Sequence, residues 1–201
     1  MVADEDSADS RAESRRRQVI EAAIRCFRRN GFHSTSMAAL AKEAGMSVGH
    51  IYHYFENKEA IIAAFIEDDL EEFRAAIRRL HESDGSFVDA MVDQADHGFD
   101  DMCDPDYAGL FLEVTAEAGR NPRVADLVRQ SDAAMRNTLA EMIAADCGCT
   151  EASNRDDLMG RVEVIAALYE GLTIRAIRNP DINRDGVLAA MRLAIARLLS
   201  P

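Results

Sequence analysis

A chain of 201 residues that is 48% hydrophobic has apolar matter for one or two packed domains, and 11 glycines with four prolines leave long stretches free to be helical. No apolar run approaches the roughly 18 residues of a membrane span, and the acidic, polar start has neither the basic head nor the apolar middle of a secretory leader, so a cytoplasmic location is expected. A net charge of −13 argues at first against a nucleic-acid partner.

In chain order, residues 1–10 read as a disordered acidic tail. A first helix is expected from Ser10 or Ser14 to Asn30. Its apolar side is Val19, Ile20, Ala23, Ile24 and Phe27, a 3.6-residue period, and Gly31 ends it. Arg15, Arg16 and Arg17 crowd its first turns, where the helix dipole disfavours cations. That placement suits a phosphate partner and makes Arg16 and Arg17 candidate DNA contacts. Ser34, Thr35 and Ser36 then offer capping hydroxyls to a short helix whose inner face is Met37, Leu40, Ala41 and Ala44. Gly45 breaks it, Met46 plugs the turn, and Ser47 caps a very short helix, Val48 to Tyr54. Two short helices joined by a glycine-containing turn are the geometry of a helix-turn-helix.

A long helix is expected from Lys58 to Arg79 or Leu80, and one helix from Phe87 to Phe99. A break follows at Met102–Pro105, then a helix from Tyr107 to Ala118 and a long one from Arg123 to Ala145. Residues 147–157 read as a loop. Asp156 or Asp157 opens another long helix to Arg178, and the last runs from Arg184 to Leu199. The expected architecture is all-α: an N-terminal three-helix helix-turn-helix domain plus a C-terminal bundle of about six helices. The expected domains are a tail at 1–10, a DNA-binding domain at 11–57, and a ligand-binding and dimerisation domain at 58–201.

The distribution of charge reverses the first impression. Residues 11–58 hold nine Arg and Lys against four acids, a net of +5, whereas residues 59–201 carry −14. A basic module is fused to an acidic body, and DNA would meet the basic end. Cys26, Cys103, Cys147 and Cys149 fit a reducing compartment as free thiols, and Cys147 and Cys149 lack the second pair that a zinc site uses. His97, Asp100, Asp101, Cys103 and Asp104 cluster in sequence, but carboxylates at a helix end are usually solvated. No metal and no cofactor is expected. No nucleotide-binding glycine loop, nucleophile elbow or zinc-protease motif is present, so the chain does not read as an enzyme.

The pattern Gly31-Phe32-x-x-Thr35-Ser36-Met37-x-x-Leu40-Ala41-x-x-Ala44-Gly45-Met46-Ser47-x-Gly49-x-Ile51-Tyr52-x-Tyr54-Phe55-x-Asn57-Lys58-Glu59 closely resembles the N-terminal domain of the TetR/AcrR family of bacterial repressors. The stretch from Phe111 to Ile143 resembles, more weakly, the C-terminal domain of that family's BetI-like branch. The resemblance implies nine or so helices, three of them in the DNA-binding domain. It implies a homodimer made by the last two long helices, and a small-molecule effector pocket in the C-terminal bundle whose filling releases a palindromic operator.

On that reading the helix Val48–Tyr54 enters the major groove. Gly49 permits close approach, Ser47 caps the helix and can donate to phosphate, and Val48 and His50 are placed to meet base edges. The resemblance carries backbone or flanking-base contacts onto Tyr52, His53, Tyr54 and Lys58, and phosphate contacts onto Thr35 and Ser36. Small residues among apolar ones suggest close helix approach at a dimer interface: Ala166, Ala167, Gly171 and Ile174 on one helix, Ala190, Leu193, Ala194 and Arg197 on the other. Candidate effector-lining residues are Met91, Phe99, Met102, Tyr107, Phe111, Glu113, Met135, Met142 and Tyr169. An interior acid would favour a cationic effector, but the lack of tryptophan weakens an aromatic cage, and the ligand's identity stays open. Activator and repressor share these features, and family habit favours repression.

Overall fold

A computed structural model describes residues 2–83, 85–147 and 152–200, with the side chains of 2–10, 147 and 152–154 left out of the description. Ten helices follow one another among the described residues: α1 Val2–Asn30, α2 Met37–Glu43, α3 Val48–Tyr54, α4 Lys58–His81, α5 Phe87–Asp93, α6 Ala95–Cys103, α7 Pro105–Ala118, α8 Pro122–Cys147, α9 Ala152–Arg178 and α10 Arg184–Leu199. The fold is all-α, and none of these helices is long and apolar enough to cross a membrane.

Local chemistry sets most boundaries. Gly31 and Gly45 take positive φ (77° and 65°), the left-handed region that closes α1 and the α2–α3 turn. The Ser36 and Ser47 hydroxyls accept the Ala39 and His50 N–H groups and start α2 and α3. The Asp104 carboxylate accepts from Asp106 N and Tyr107 N, both at 2.9 Å, so α7 begins at Pro105, whose missing N–H costs nothing there. That use takes Asp104 out of the acidic cluster, and Asp100 forms a bidentate pair with Arg184 of α10.

Three boundaries differ from the sequence reading. Helix α1 begins at Val2, taking in residues expected to form a disordered tail. The helix expected from Phe87 to Phe99 is divided at Gln94, whose φ of −95° and ψ of 15° leave the helical region. Arg192 of α10 stabilises that break by donating to the Val92 and Asp93 carbonyls at 3.1 and 2.7 Å. The extra division puts seven helices after the helix-turn-helix instead of about six. Helix α9 begins at Ala152, and residues 148–151 of the expected loop, with Cys149, lie outside the described residues.

The chain divides into two compact units along a line other than 57/58. Unit 1 is residues 1–68 with 109–128, and unit 2 is residues 69–108 with 129–201. The core of unit 1 gathers Val19, Ile20, Ala23 and Phe27 of α1, Leu40 and Ala41 of α2, Ile51 of α3, Ile61 and Ile62 of α4, and Leu110 and Val114 of α7. Ile51 is fully buried; that alone is worth about 2 kcal/mol of transfer free energy and seats α3 on the rest of the unit. The core of unit 2 joins Phe87 and Met91 of α5, Phe99 of α6, Ile143 of α8, Val162 and Ile165 of α9, and Leu188 and Ile195 of α10.

Candidate nucleic-acid interface

Helix α3 buries Ile51, half-buries Tyr54 and shows the rest. With Ile51 turned into the core, Val48 (39% exposed), Gly49, His50, Tyr52 (52% exposed) and His53 face outward. An exposed valine and an exposed tyrosine on a seven-residue helix leave apolar surface in water and forgo the stabilisation of burying it. A β-carbon at Gly49 would meet nothing within 4 Å, so the backbone there is open to a close visitor. Half-buried Tyr54 supports its neighbours: the His50 ring lies 5.4 Å from it, tilted by 31°, and the His53 ring lies 5.1 Å away edge-on.

The surroundings of α3 are braced from α1. Gln18 Nε2 donates to the Ala44 carbonyl at 2.7 Å, fixing the α2–α3 turn, and Arg15 donates to Gln18. Arg16 stacks over the Phe55 ring at 5.0 Å, while Arg17 is exposed. Arg25 and Arg29 are paired with Glu43, whose carboxyl their hydrogen bonds hold below its ordinary pKa. Ser36 and Ser47 are exposed; each uses its oxygen as an acceptor for a cap, which leaves the hydroxyl proton able to reach a phosphate.

Three expected contacts are placed differently. Thr35 is 2% exposed, and its hydroxyl donates to the Gly31 carbonyl at 2.8 Å, with the Cys26 carbonyl 3.3 Å away. It braces the turn and does not face solvent, because the chain must turn tightly there with its carbonyls satisfied. Half-buried Lys58 donates through Nζ to the Phe32 carbonyl at 2.6 Å, and the ammonium lies 4.3 Å from the centre of the Phe32 ring within unit 1. Glu113, expected in an effector pocket, accepts the Phe32 N–H at 3.1 Å. Neither Lys58 nor Glu113 carries a sequence signal for these roles, since each depends on a partner distant in the chain, 26 and 81 residues away, whereas Thr35 bonds back to Gly31 only four residues before it.

Matching family models cover both parts of the chain: bacterial regulatory proteins of the tetR family at residues 19–65, and the C-terminal domain of BetI-type transcriptional repressors at residues 99–200. The chain belongs to the tetR family of bacterial regulatory proteins. Members of this family are ligand-responsive DNA-binding repressors, and α2–α3 lies within the part of the chain that matches the tetR-family model. The HTH-type transcriptional regulator UidR of Escherichia coli K12 is 34% identical over 143 residues, 69% of this chain and 67% of that protein. The structure of Salmonella enterica GusR is 29% identical and superposes with a TM-score of 0.73 over 92% of this chain and 95% of that one. FadR of Bacillus subtilis in complex with stearoyl-CoA, at 19% identity, has a TM-score of 0.68 over 91% and 97% of the two chains, a likeness of fold.

The other expected site residues of the tetR-family chain fall as follows. Met91 and Phe99 are buried in the core of unit 2, and Met102, Met142 and Tyr169 pack against it. Met135 is half-buried on α8. Tyr107 shares a side-chain hydrogen bond with Asp69; burial raises the Asp69 carboxyl to about 6 and pushes the Tyr107 phenol up as well. Phe111 and Glu113 belong to unit 1, so the expected effector residues are not all brought together within one unit. A partly open apolar pocket of about 10 Å³ among Ile24, Phe27, Ile61, Phe65 and Leu110 has room for no effector. An open groove of about 350 Å³ is lined by Glu56, Glu59, Ala63, Arg123, Asp126 and neighbours, none of them an expected effector residue.

On α9, Ile174 is exposed with Ala167, while Ala166 and Gly171 are half-buried. On α10, Leu193 is 62% exposed beside exposed Ala190 and Arg197, with Ala194 half-buried. Val164 and Ile177 add to the apolar surface of α9, a signal that the small-residue search passed over.

Proposed function

We propose that this protein is a homodimeric repressor. Two copies of α3 read a palindromic operator, and a small molecule held in the C-terminal bundle releases it. The observation that carries the reading is the presentation of α3, with Ile51 as its buried anchor and Val48, His50, Tyr52 and His53 facing outward. Val48 offers a methyl contact to thymine, and His50 and His53 a hydrogen bond to a purine. Ser36, Ser47, Arg17 and Tyr52 hold the phosphate backbone and set register.

One such head is small, and two on a two-fold axis gain affinity and palindrome specificity together. The exposed apolar residues Val164, Ala167 and Ile174 of α9 and Ala190 and Leu193 of α10 supply the contact between copies. DNA binding is assigned to residues 11–57, and effector binding with dimerisation to residues 58–201. Helix α4 begins at that boundary, at Lys58, and its residues belong to both compact units. The carboxylates around Tyr107 (Asp69, Asp101 and Glu170) favour a neutral or cationic effector over an anionic one. A regulator of this kind works on chromosomal DNA in the cytoplasm and performs no catalysis.

Fluorescence anisotropy tests the reading, with labelled DNA from upstream of the protein's own gene set beside a scrambled duplex at near-physiological salt. The expected result is a preference of about a thousand-fold, with two protomers per site. Equal, weak binding to both duplexes by a correctly folded dimer would overturn autoregulation by this chain.

A further inference from the structure

The turn between α1 and α2 is gripped from several sides within unit 1. Phe32 N–H donates to Glu113 Oε2 of α7 at 3.1 Å. Lys58 Nζ, at the first residue of α4, donates to the Phe32 carbonyl at 2.6 Å and reaches the His33 carbonyl at 3.4 Å. His33 Nε2 lies 3.0 Å from Glu117 Oε2, and Arg120 Nη2 lies 3.4 Å from the same oxygen. Glu117 is only 1% exposed. A carboxylate taken so far out of water must be held by donors and cations. Burial lowers the pKa of the Lys58 ammonium, against the opposing pull of Glu59 and Glu117. Phe32 is itself in the core, 5.2 Å from the Phe27 ring, so the turn cannot swing without disturbing packing. A few residues on, Thr35 and Ser36 lead into α2, and α2 packs on α3.

We infer that Lys58, Glu113 and Glu117 are positioning residues for operator binding: they fix the Phe32–His33 turn, and through it the angle at which α2 and α3 are presented. Lys58 serves as an internal cation on two carbonyls and not as a phosphate contact. The inference rests on the operator-binding reading above.

It opposes what charge alone dictates. Taking an acid away from a DNA-binding domain weakens the repulsion of phosphate and strengthens binding to any duplex. Loosening a clasp weakens operator binding and spares non-specific binding. Losing a phosphate-contacting lysine lowers the slope of log K against log salt by about 0.9 per contact; losing an internal lysine leaves the slope unchanged.

The experiment uses the full chain as wild type, Glu117→Gln, Glu113→Ala and Lys58→Met. Each is titrated by anisotropy against the operator and scrambled duplexes over a range of salt, with circular-dichroism melting in the same buffers. The expected result is a loss of roughly tenfold or more on the operator for each glutamate variant, the size of one charged hydrogen bond. Binding to scrambled DNA stays equal or tightens. Lys58→Met loses operator affinity at an unchanged salt slope. Undiminished operator binding by Glu117→Gln, or a slope lowered by about 0.9 per protomer in Lys58→Met with equal losses on both duplexes, would overturn the proposal. If Lys58→Met melts below the assay temperature, the two glutamate variants decide. A wild type that prefers neither duplex overturns the operator reading first and this proposal with it.

Discussion

Gly98 of α6 lies directly against the ring of Tyr169 on α9: a β-carbon at position 98 would come 2.8 Å from Cε1 and 3.3 Å from Cζ. Both helices belong to unit 2, and their close approach depends on that missing side chain. Alanine is the better helix former by about 1 kcal/mol, yet Gly98→Ala is expected to destabilise the protein by about 1–2 kcal/mol through overpacking. Urea unfolding measures this. Pairing it with Tyr169→Ala should abolish the penalty in a double-mutant cycle, and additive losses would show that the ring is not what the new methyl meets.

Thr35→Val replaces a hydroxyl that serves the Gly31 and Cys26 carbonyls by a methyl. The buried acceptors lose a donor, at a cost of about 1–2 kcal/mol in unfolding free energy. Because Thr35 does not face solvent, the salt slope of DNA binding should be that of the wild type. A lower slope without loss of stability would make Thr35 a phosphate contact after all.

Asp69→Asn tests the buried carboxyl beside Tyr107. Its folded pKa, raised by burial to about 6, lies above the unfolded value, so ionisation opposes folding. The wild type is favoured by this group at low pH and loses that advantage as pH rises from about 4 through 6. The amide cannot ionise and still accepts from a phenol. The variant should therefore be more stable than wild type by about 2 kcal/mol at pH 7.5, a gain that shrinks through pH 6 and is gone near pH 4. Thermal melts across that range provide the check, and a pH-independent difference would contradict it.

Ile174→Asp combined with Leu193→Asp places charge on the exposed apolar face of α9 and α10. Both residues are exposed in the single chain, so the folded monomer should keep its helicity and melt within about 0.5 kcal/mol of the unpaired wild type. Sedimentation velocity should find a monomer, and operator affinity should drop by about a hundred-fold or more as the second head is lost. A double variant that remains dimeric would move the interface elsewhere.

The reading helix was legible residue by residue. Ser47, Gly45 and Gly31 act through their own backbones or through neighbours three or four residues away, so capping and positive φ can be written down before any fold is known. The periodic apolar faces of α1 and α2 were legible for the same reason. The Gln94 break was not: its freed carbonyls are answered by Arg192, about a hundred residues later.

By itself, then, the sequence determined an all-helical chain with a basic helix-turn-helix at one end, the bounds of α3, and the family. The family rests on the resemblance of the Gly31–Glu59 pattern; the rest follows from local propensity, short-range caps and the spacing of charge, and needs no distant partner. The tertiary structure alone decided which polar side chains face outward. In the sequence Thr35 and Lys58 look like phosphate contacts and Glu113 like an effector-lining acid, and each meets a backbone group of the Gly31–His33 turn. Glu113 does so across 81 residues. A polar residue's role depends on whether water or a buried donor or acceptor waits beside it, and packing decides that.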